Sequence, residues 1–202
     1  MPKITFHNLS QEKQHKLMTA IQNEFSRVPL QLASISNIVK EAKVPRGSFY
    51  QYFDDKEDAY YYLLSTYILE LNEQFIYSLK KHEGDLFEAI IDVFQYTIED
   101  DDHFQLMKNA FLNLSYKVEN KFSGIFQGHS RKSENMKTIS QYINLELLNI
   151  KSEKDFEYIV QILKAVTFRN FVEKFAKNLS NAEALLIFRK ELELLKNGLA
   201  RS

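Results

Sequence analysis

Ser34-Ile-Ser-Asn-Ile-Val-Lys-Glu-Ala-Lys-Val-Pro-Arg-Gly-Ser-Phe-Tyr-Gln-Tyr-Phe-Asp-Asp-Lys56 reads as two short helices joined by a tight turn. Ser34 is placed to cap the first helix through its side-chain oxygen. Ile35, Ile38 and Val39 then fall at i, i+3 and i+4, one apolar helical face. Ala42 is small where two helices cross, and Val44 points back toward a small core. Pro45 has no N–H to lose and is tolerated at or just before the first turn of the next helix. Phe49 and Phe53, four apart, anchor that second helix. Arg46, Gly47, Ser48, Tyr50, Gln51 and Tyr52 remain for its outer face, a set suited to the base edges and backbone of a DNA duplex. Plain helical core is the competing reading of such a pair.

Upstream, Leu17, Met18, Ala20, Ile21 and Phe25 give residues 10–26 a helical stripe that starts at Ser10. Three helices of this kind form the usual scaffold behind a recognition helix. The order Gly47-Ser48-Phe49-Tyr50, Tyr52-Phe53, then Lys56-Glu57 resembles the helix-turn-helix signature of the TetR/AcrR family of bacterial transcriptional regulators. Ala20, Phe25, Ile38 and Ala42 extend the resemblance over residues 10–60. One departure is Lys43, which stands where the family's turn usually has glycine, so a positive φ there would carry strain. By this resemblance Ser34, Ser36 and Lys56 contact backbone phosphates, Arg46 reads a base edge, and Gly47, Ser48, Tyr50, Gln51 and Tyr52 share the remaining DNA contacts. The implied partners are a double-stranded DNA operator, a small-molecule effector and a second copy of the chain.

Composition agrees with an all-α protein. Only five Gly and three Pro punctuate 202 residues, and long periodic segments dominate. The 45% apolar content is ample for a core. With no cysteine there is no disulfide, thiolate metal site or cysteine nucleophile. The first residues lack the apolar run of a signal peptide, and no stretch of eighteen apolar residues could span a bilayer, so a cytoplasmic protein without membrane partners is expected. Net charge is −1, but it is unevenly placed. Residues 1–53 hold seven Lys and Arg against three Glu, a balance of +4, while the remainder carries −5. A basic head on an acidic body suits a protein whose head alone approaches phosphates.

Two domains are expected, 1–54 for DNA reading and 55–202 for effector binding and dimerisation, with about nine helices in total. The body helices are placed at 55–81, 85–99, 102–119, 134–149, 152–178 and 181–197, with a loop at 122–133. Ser152 with Asp155 and Ser180 with Glu183 form capping-box patterns, and Gly198 stops the last helix. The helices at about 153–178 and 181–197 are more apolar than one buried stripe requires, which points to a four-helix interface between two chains.

Catalytic signatures are missing: there is no Gly-rich phosphate loop, His-Glu-x-x-His or Gly-x-Ser-x-Gly. His103 beside Asp100-Asp101-Asp102 reads as a helix cap rather than a metal site, so no metal and no cofactor are expected. Arg169 and Lys174 read as edge residues of an apolar helix. In a TetR-like body the aromatic helices surround the effector cavity, making Phe75, Phe94, Phe104, Phe111, Tyr142 and Phe168 candidate walls for a hydrophobic or aromatic ligand. Pro45 to Phe53 and Asp58-Ala-Tyr-Tyr-Tyr62 look most like the haem-responsive efflux repressors of this family, which use histidine ligands on the long helix and on a late helix. Here those stretches read Leu71-Asn72-Glu73 and Thr167-Phe168-Arg169, without histidine. The reading that emerges is a ligand-responsive repressor released from a palindromic operator. The alternatives are a helical adaptor or enzyme-like ligand-binding protein that keeps the motif without specific DNA binding.

Overall fold

The computed structural model describes residues 2–113, 139 and 141–198. Among these there are nine α-helices and no strand. They are α1 (Ile4–His7), α2 (Gln11–Arg27), α3 (Ile35–Ala42), α4 (Arg46–Tyr52), α5 (Lys56–Lys81), α6 (Leu86–Glu99), α7 (Phe104–Leu112), α8 (Glu153–Ala176) and α9 (Asn181–Asn197). Single 3-10 turns lie at Leu30–Leu32 and Leu145–Leu147. The chain forms two compact units. The first is Met1–Tyr67 with the segment that begins at Asp101, and the second begins at Ile68, so the division falls inside α5.

In the first unit the α2 stripe Leu17, Ala20, Ile21 and Phe25 is buried against Ile38, Val39 and Ala42 of α3. Phe49 and Phe53 are fully buried, and their rings lie 5.6 Å apart. Phe25 meets Tyr60 of α5 edge-on at 4.9 Å, an arrangement the ring quadrupoles favour. Helix α7 buries Leu106, Met107, Ala110 and Phe111. It is also tied to α2 by polar bonds. Asn109 Nδ2 donates to the carbonyls of Phe25 and Ser26, both at 2.9 Å, satisfying acceptors that the end of α2 leaves open.

The second unit is built around Phe94, whose ring stacks on Phe171 of α8 at 4.7 Å and Phe188 of α9 at 4.3 Å. Leu71, Phe75 and Leu79 of α5 and Ala89, Ile90, Val93 and Ile98 of α6 are buried in this unit. Both capping boxes form: Ser152 with Asp155, and Ser180 with Glu183. Asp85 caps α6 by accepting from the N–H groups of Phe87 and Glu88. At the α5–α6 turn Gly84 has φ +88°, and a Cβ there would lie 2.5 Å from the Asn144 nitrogen, so only glycine fits.

Several sequence expectations need correction. The helix expected at 134–149 does not extend through 141–150, where the chain makes turns and one 3-10 turn. The Asn144 side chain accepts from the Glu146 N–H and the Asn144 backbone N–H donates to the Gly84 carbonyl, so a local bond and one distant in sequence replace the helical ladder. The helix expected at 102–119 ends at Leu112, with Asn113 as its cap. Ser10 and Ser34 stand at helix N-caps, but neither side chain makes the capping bond. A four-residue helix, α1, precedes the three that were expected. Lys174 is buried rather than at an edge, its ammonium donating to the Leu179 carbonyl just beyond α8, whereas Arg169 is exposed and bridges Glu173 and Glu191. The loop placed at 122–133 and the start of the helix after it lie outside the described residues.

Candidate nucleic-acid interface

The short helix α4 and the end of α3 make the candidate surface. Lys43 closes α3 in the left-handed region, φ 57° and ψ 41°, the conformation that sharply turns the chain into α4. Pro45 is the N-cap of α4. With Phe49 buried beneath it, α4 leaves Arg46, Gly47, Tyr50 and Gln51 exposed, and Ser48 and Tyr52 half-exposed. Ser36 is exposed on α3 and Ser34 half-exposed at its start.

Three cations surround this surface. Lys40, Lys43 and Arg46 are exposed, and none of their side chains forms an ion pair with a described residue. Unpaired guanidinium and ammonium groups keep their full charge for an incoming phosphate or guanine edge. Lys56 is placed differently. Its ammonium donates to the carbonyls of Gln31 and Ala33 at 2.9 and 3.0 Å, holding the 3-10 turn that leads into α3.

The residue that orients α3 is Glu24, 3% exposed on the α2 stripe. Its carboxylate accepts the Ser34 backbone N–H at 2.7 Å, the Asn37 amide at 3.2 Å and the Arg27 guanidinium at 2.8 Å. A negative charge at a helix N-terminus is favourable, and here Glu24 supplies it from α2, while the Ser34 hydroxyl makes no capping bond. Sequence reading passed over Glu24, although a carboxylate at i+7 of an otherwise apolar stripe was its signal. Also unforeseen were Lys3 and Thr5, which bond to α4. Lys3 forms an ion pair with Asp54 at 2.8 Å, and the Asp54 carboxyl is held below its ordinary range by that ammonium.

The candidate effector residues are divided between the units. Phe104 and Phe111 belong to the first, and Phe75, Phe94, Tyr142 and Phe168 to the second. Phe75, Phe94 and Phe111 are buried, while the other three are half-buried. The Lys80 ammonium lies over the Tyr142 ring at 4.7 Å. His103 stacks on Tyr67 at 4.4 Å and makes no capping bond. Among the described residues no group of three His, Cys, Asp or Glu could hold a metal ion, and no helix is long and apolar enough to cross a membrane.

A buried-stripe tri-helix with an exposed polar fourth helix defines a helix-turn-helix DNA-binding regulator. Comparison with known proteins specifies which kind. The family model for bacterial regulatory proteins of the tetR family matches residues 17–59. The model for the tetracyclin repressor-like C-terminal domain matches residues 85–199, more than half of the chain. The chain belongs to the TetR family, transcriptional regulators with a DNA-binding helix-turn-helix and a C-terminal ligand-binding domain. The HTH-type transcriptional regulator HbdR of Aromatoleum sp. (strain CIB) is 36% identical over 71 residues, which is 35% of this chain and 31% of that protein. The match thus spans about a third of that relative's length.

Two solved structures share the fold. The transcriptional regulator FadR of Bacillus subtilis, in complex with stearoyl-CoA, superposes with a TM-score of 0.67 at 16% identity, covering 92% of this chain and 99% of that one. A transcriptional regulator of Pseudomonas aeruginosa PAO1 gives 0.63 at 15% identity, with coverage of 96% and 95%.

Proposed function

We propose that this regulator is a homodimeric repressor that leaves a palindromic operator when a hydrophobic or aromatic small molecule binds. The observation that carries the reading is the α4 surface, where Arg46, Tyr50 and Gln51 are exposed and Ser48 half-exposed beside Lys40 and Lys43, cations that, like Arg46, form no ion pair with a described residue. Ser34, Ser36 and Lys56 position the duplex through its phosphates, and Arg46 makes a bidentate guanine contact, with Tyr50, Gln51 and Tyr52 sharing the rest. The reading domain is 1–54, with Lys56 just beyond it adding a phosphate contact, and sensing and dimerisation belong to 55–202. A protein that reads bacterial DNA works in the cytoplasm.

Dimerisation runs through α8 and α9. Leu163, Phe171 and Phe175 of α8 and Phe188 and Leu192 of α9 are buried within the chain, while Tyr158, Ile162, Leu186, Ile187 and Leu194 are exposed on the same two helices. An apolar second face on each helix favours a two-fold, four-helix contact of about 2,000 Å² or more. Two recognition helices then enter successive major grooves about 34–36 Å apart. The ligand acts by binding better to a conformation with the wrong spacing. The acyl chain present in the Bacillus subtilis structure makes long-chain acyl compounds one class of candidate.

The test is fluorescence anisotropy on the duplex upstream of the chain's own coding sequence, at several salt concentrations and with a panel of apolar ligands. Salt-dependent binding reversed by a member of the panel supports the proposal. Binding that no apolar ligand reverses removes the effector class, and no salt-dependent binding favours the adaptor reading.

A further inference from the structure

Helix α4 has only seven residues, too short to be stable alone, and its final carbonyls have no partners within the helix. Its last turn contains no basic residue to complement the helix dipole. Phe49 is the one fully buried side chain along its length, helped by half-buried Tyr52, whose ring meets Phe6 at 6.5 Å, so few side chains resist its rotation. Yet all three terminal carbonyls are satisfied. The Lys3 ammonium donates to the Tyr50 carbonyl at 2.9 Å, the Thr5 hydroxyl to the Gln51 carbonyl, and the Lys3 backbone N–H to the Tyr52 carbonyl at 2.8 Å. Phe6, 1% exposed, fixes the strap that carries these donors, its ring lying 5.3 Å from Phe53 and 5.5 Å from Tyr62.

We infer that Lys3 and Thr5 are positioning residues for DNA reading: they clamp the C-terminal end of α4 and set the rotation at which Arg46, Tyr50 and Gln51 meet the groove. The inference rests on the DNA-binding function proposed above. Its physical content is that a helix end held by a cation and a hydroxyl cannot fray or swing. Sequence-specific contacts require that fixity, whereas contacts to phosphate through flexible lysines do not. Lys3 acts on α4 through the carbonyls. Asp54, 70% exposed, only steadies the ammonium, and its ion pair contributes little.

The probes are a duplex selected by the wild-type chain from a random-sequence pool and a scrambled duplex of equal length. The K3M/T5V double variant, which removes two side-chain hydrogen bonds, should bind the selected duplex about tenfold more weakly, the low end of what two such bonds contribute, with little change on the scrambled one and an unchanged salt slope. Hydrogen exchange in the free protein should quicken in α4 and not in α5. Lys3→Arg, which keeps a charged donor and leaves Thr5 in place, should leave both readouts as in the wild type, and Asp54→Asn should disturb neither. If the wild-type chain selects no duplex, the DNA-binding reading falls and the inference falls with it. If it does, equal weakening on both duplexes with the slope lowered by about one would make Lys3 a phosphate contact and overturn the clamp. Unaltered exchange in α4 would overturn it too, as would D54N behaving like the double variant.

Discussion

The Glu24 carboxylate accepts the backbone N–H of Ser34 at 2.7 Å, so the first helix of the reading motif is capped by a residue ten positions upstream. The same carboxylate holds Asn37 and Arg27. Glu24→Ala would strand these donors beside a buried site. It should lower unfolding free energy by about 2–4 kcal/mol, discounted from a fully buried pair because Arg27 is half in water. Urea unfolding checks this, and a loss under half a kcal/mol would show that water replaces the carboxylate without cost.

Arg46 should read sequence and Lys43 should not. Arg46→Ala is expected to cost about 1–3 kcal/mol on the operator and to relax preference at one position in each half-site. Lys43→Ala should weaken all duplexes alike. Binding to a panel of single-base operator variants separates the two, and uniform weakening by Arg46→Ala would make that residue a phosphate contact instead.

Lys56 has two of its three N–H bonds on the Gln31 and Ala33 carbonyls, which leaves one for a phosphate. Lys56→Ala should therefore do two things: lower the salt slope of DNA binding by about one, and lower stability by about 1 kcal/mol. A stability loss with no change of slope would confine Lys56 to holding the 3-10 turn.

Acid should loosen α9. The Glu183 carboxyl is kept below its ordinary value of 4.5, first by the Ser180 hydroxyl and then by the Ser180 backbone N–H. A carboxyl depressed in the folded state stabilises it above the unfolded value, and that contribution is lost as pH falls through the folded one. Glu183→Gln retains an acceptor for the Ser180 N–H but cannot titrate. Its melting temperature should fall less steeply than that of the wild type between about pH 5 and pH 3. Identical slopes would show that the cap does not contribute to acid sensitivity.

Much of this was legible because it is local. Phe49 and Phe53 four apart, the two Ser-x-x-acid caps and the strained Lys43 turn are each decided within one or two helical turns of sequence, and each is found in the structure. What escaped depends on residues distant in sequence. Lys3 and Thr5 lie 46 to 49 residues from the carbonyls they cap, and four residues of α1 are too few to show a period. Ser34 was assigned its cap by type, but its hydroxyl makes no capping bond and Glu24 instead holds the Ser34 N–H from ten residues upstream. The stretch from about 134 to 149 scanned as a helix, and the bonds of Asn144 to the Glu146 N–H and the Gly84 carbonyl account for the turns found at 141–148.

Selection of duplexes from a random pool by the purified chain tests the central claim most directly. The account predicts enrichment of an inverted repeat whose half-site centres lie about one helical turn apart, or a multiple of it, bound by an even number of chains. Sedimentation of the selected complex would count the chains. A pool that shows no enrichment, or a single unrepeated site bound by a monomer, would contradict the account.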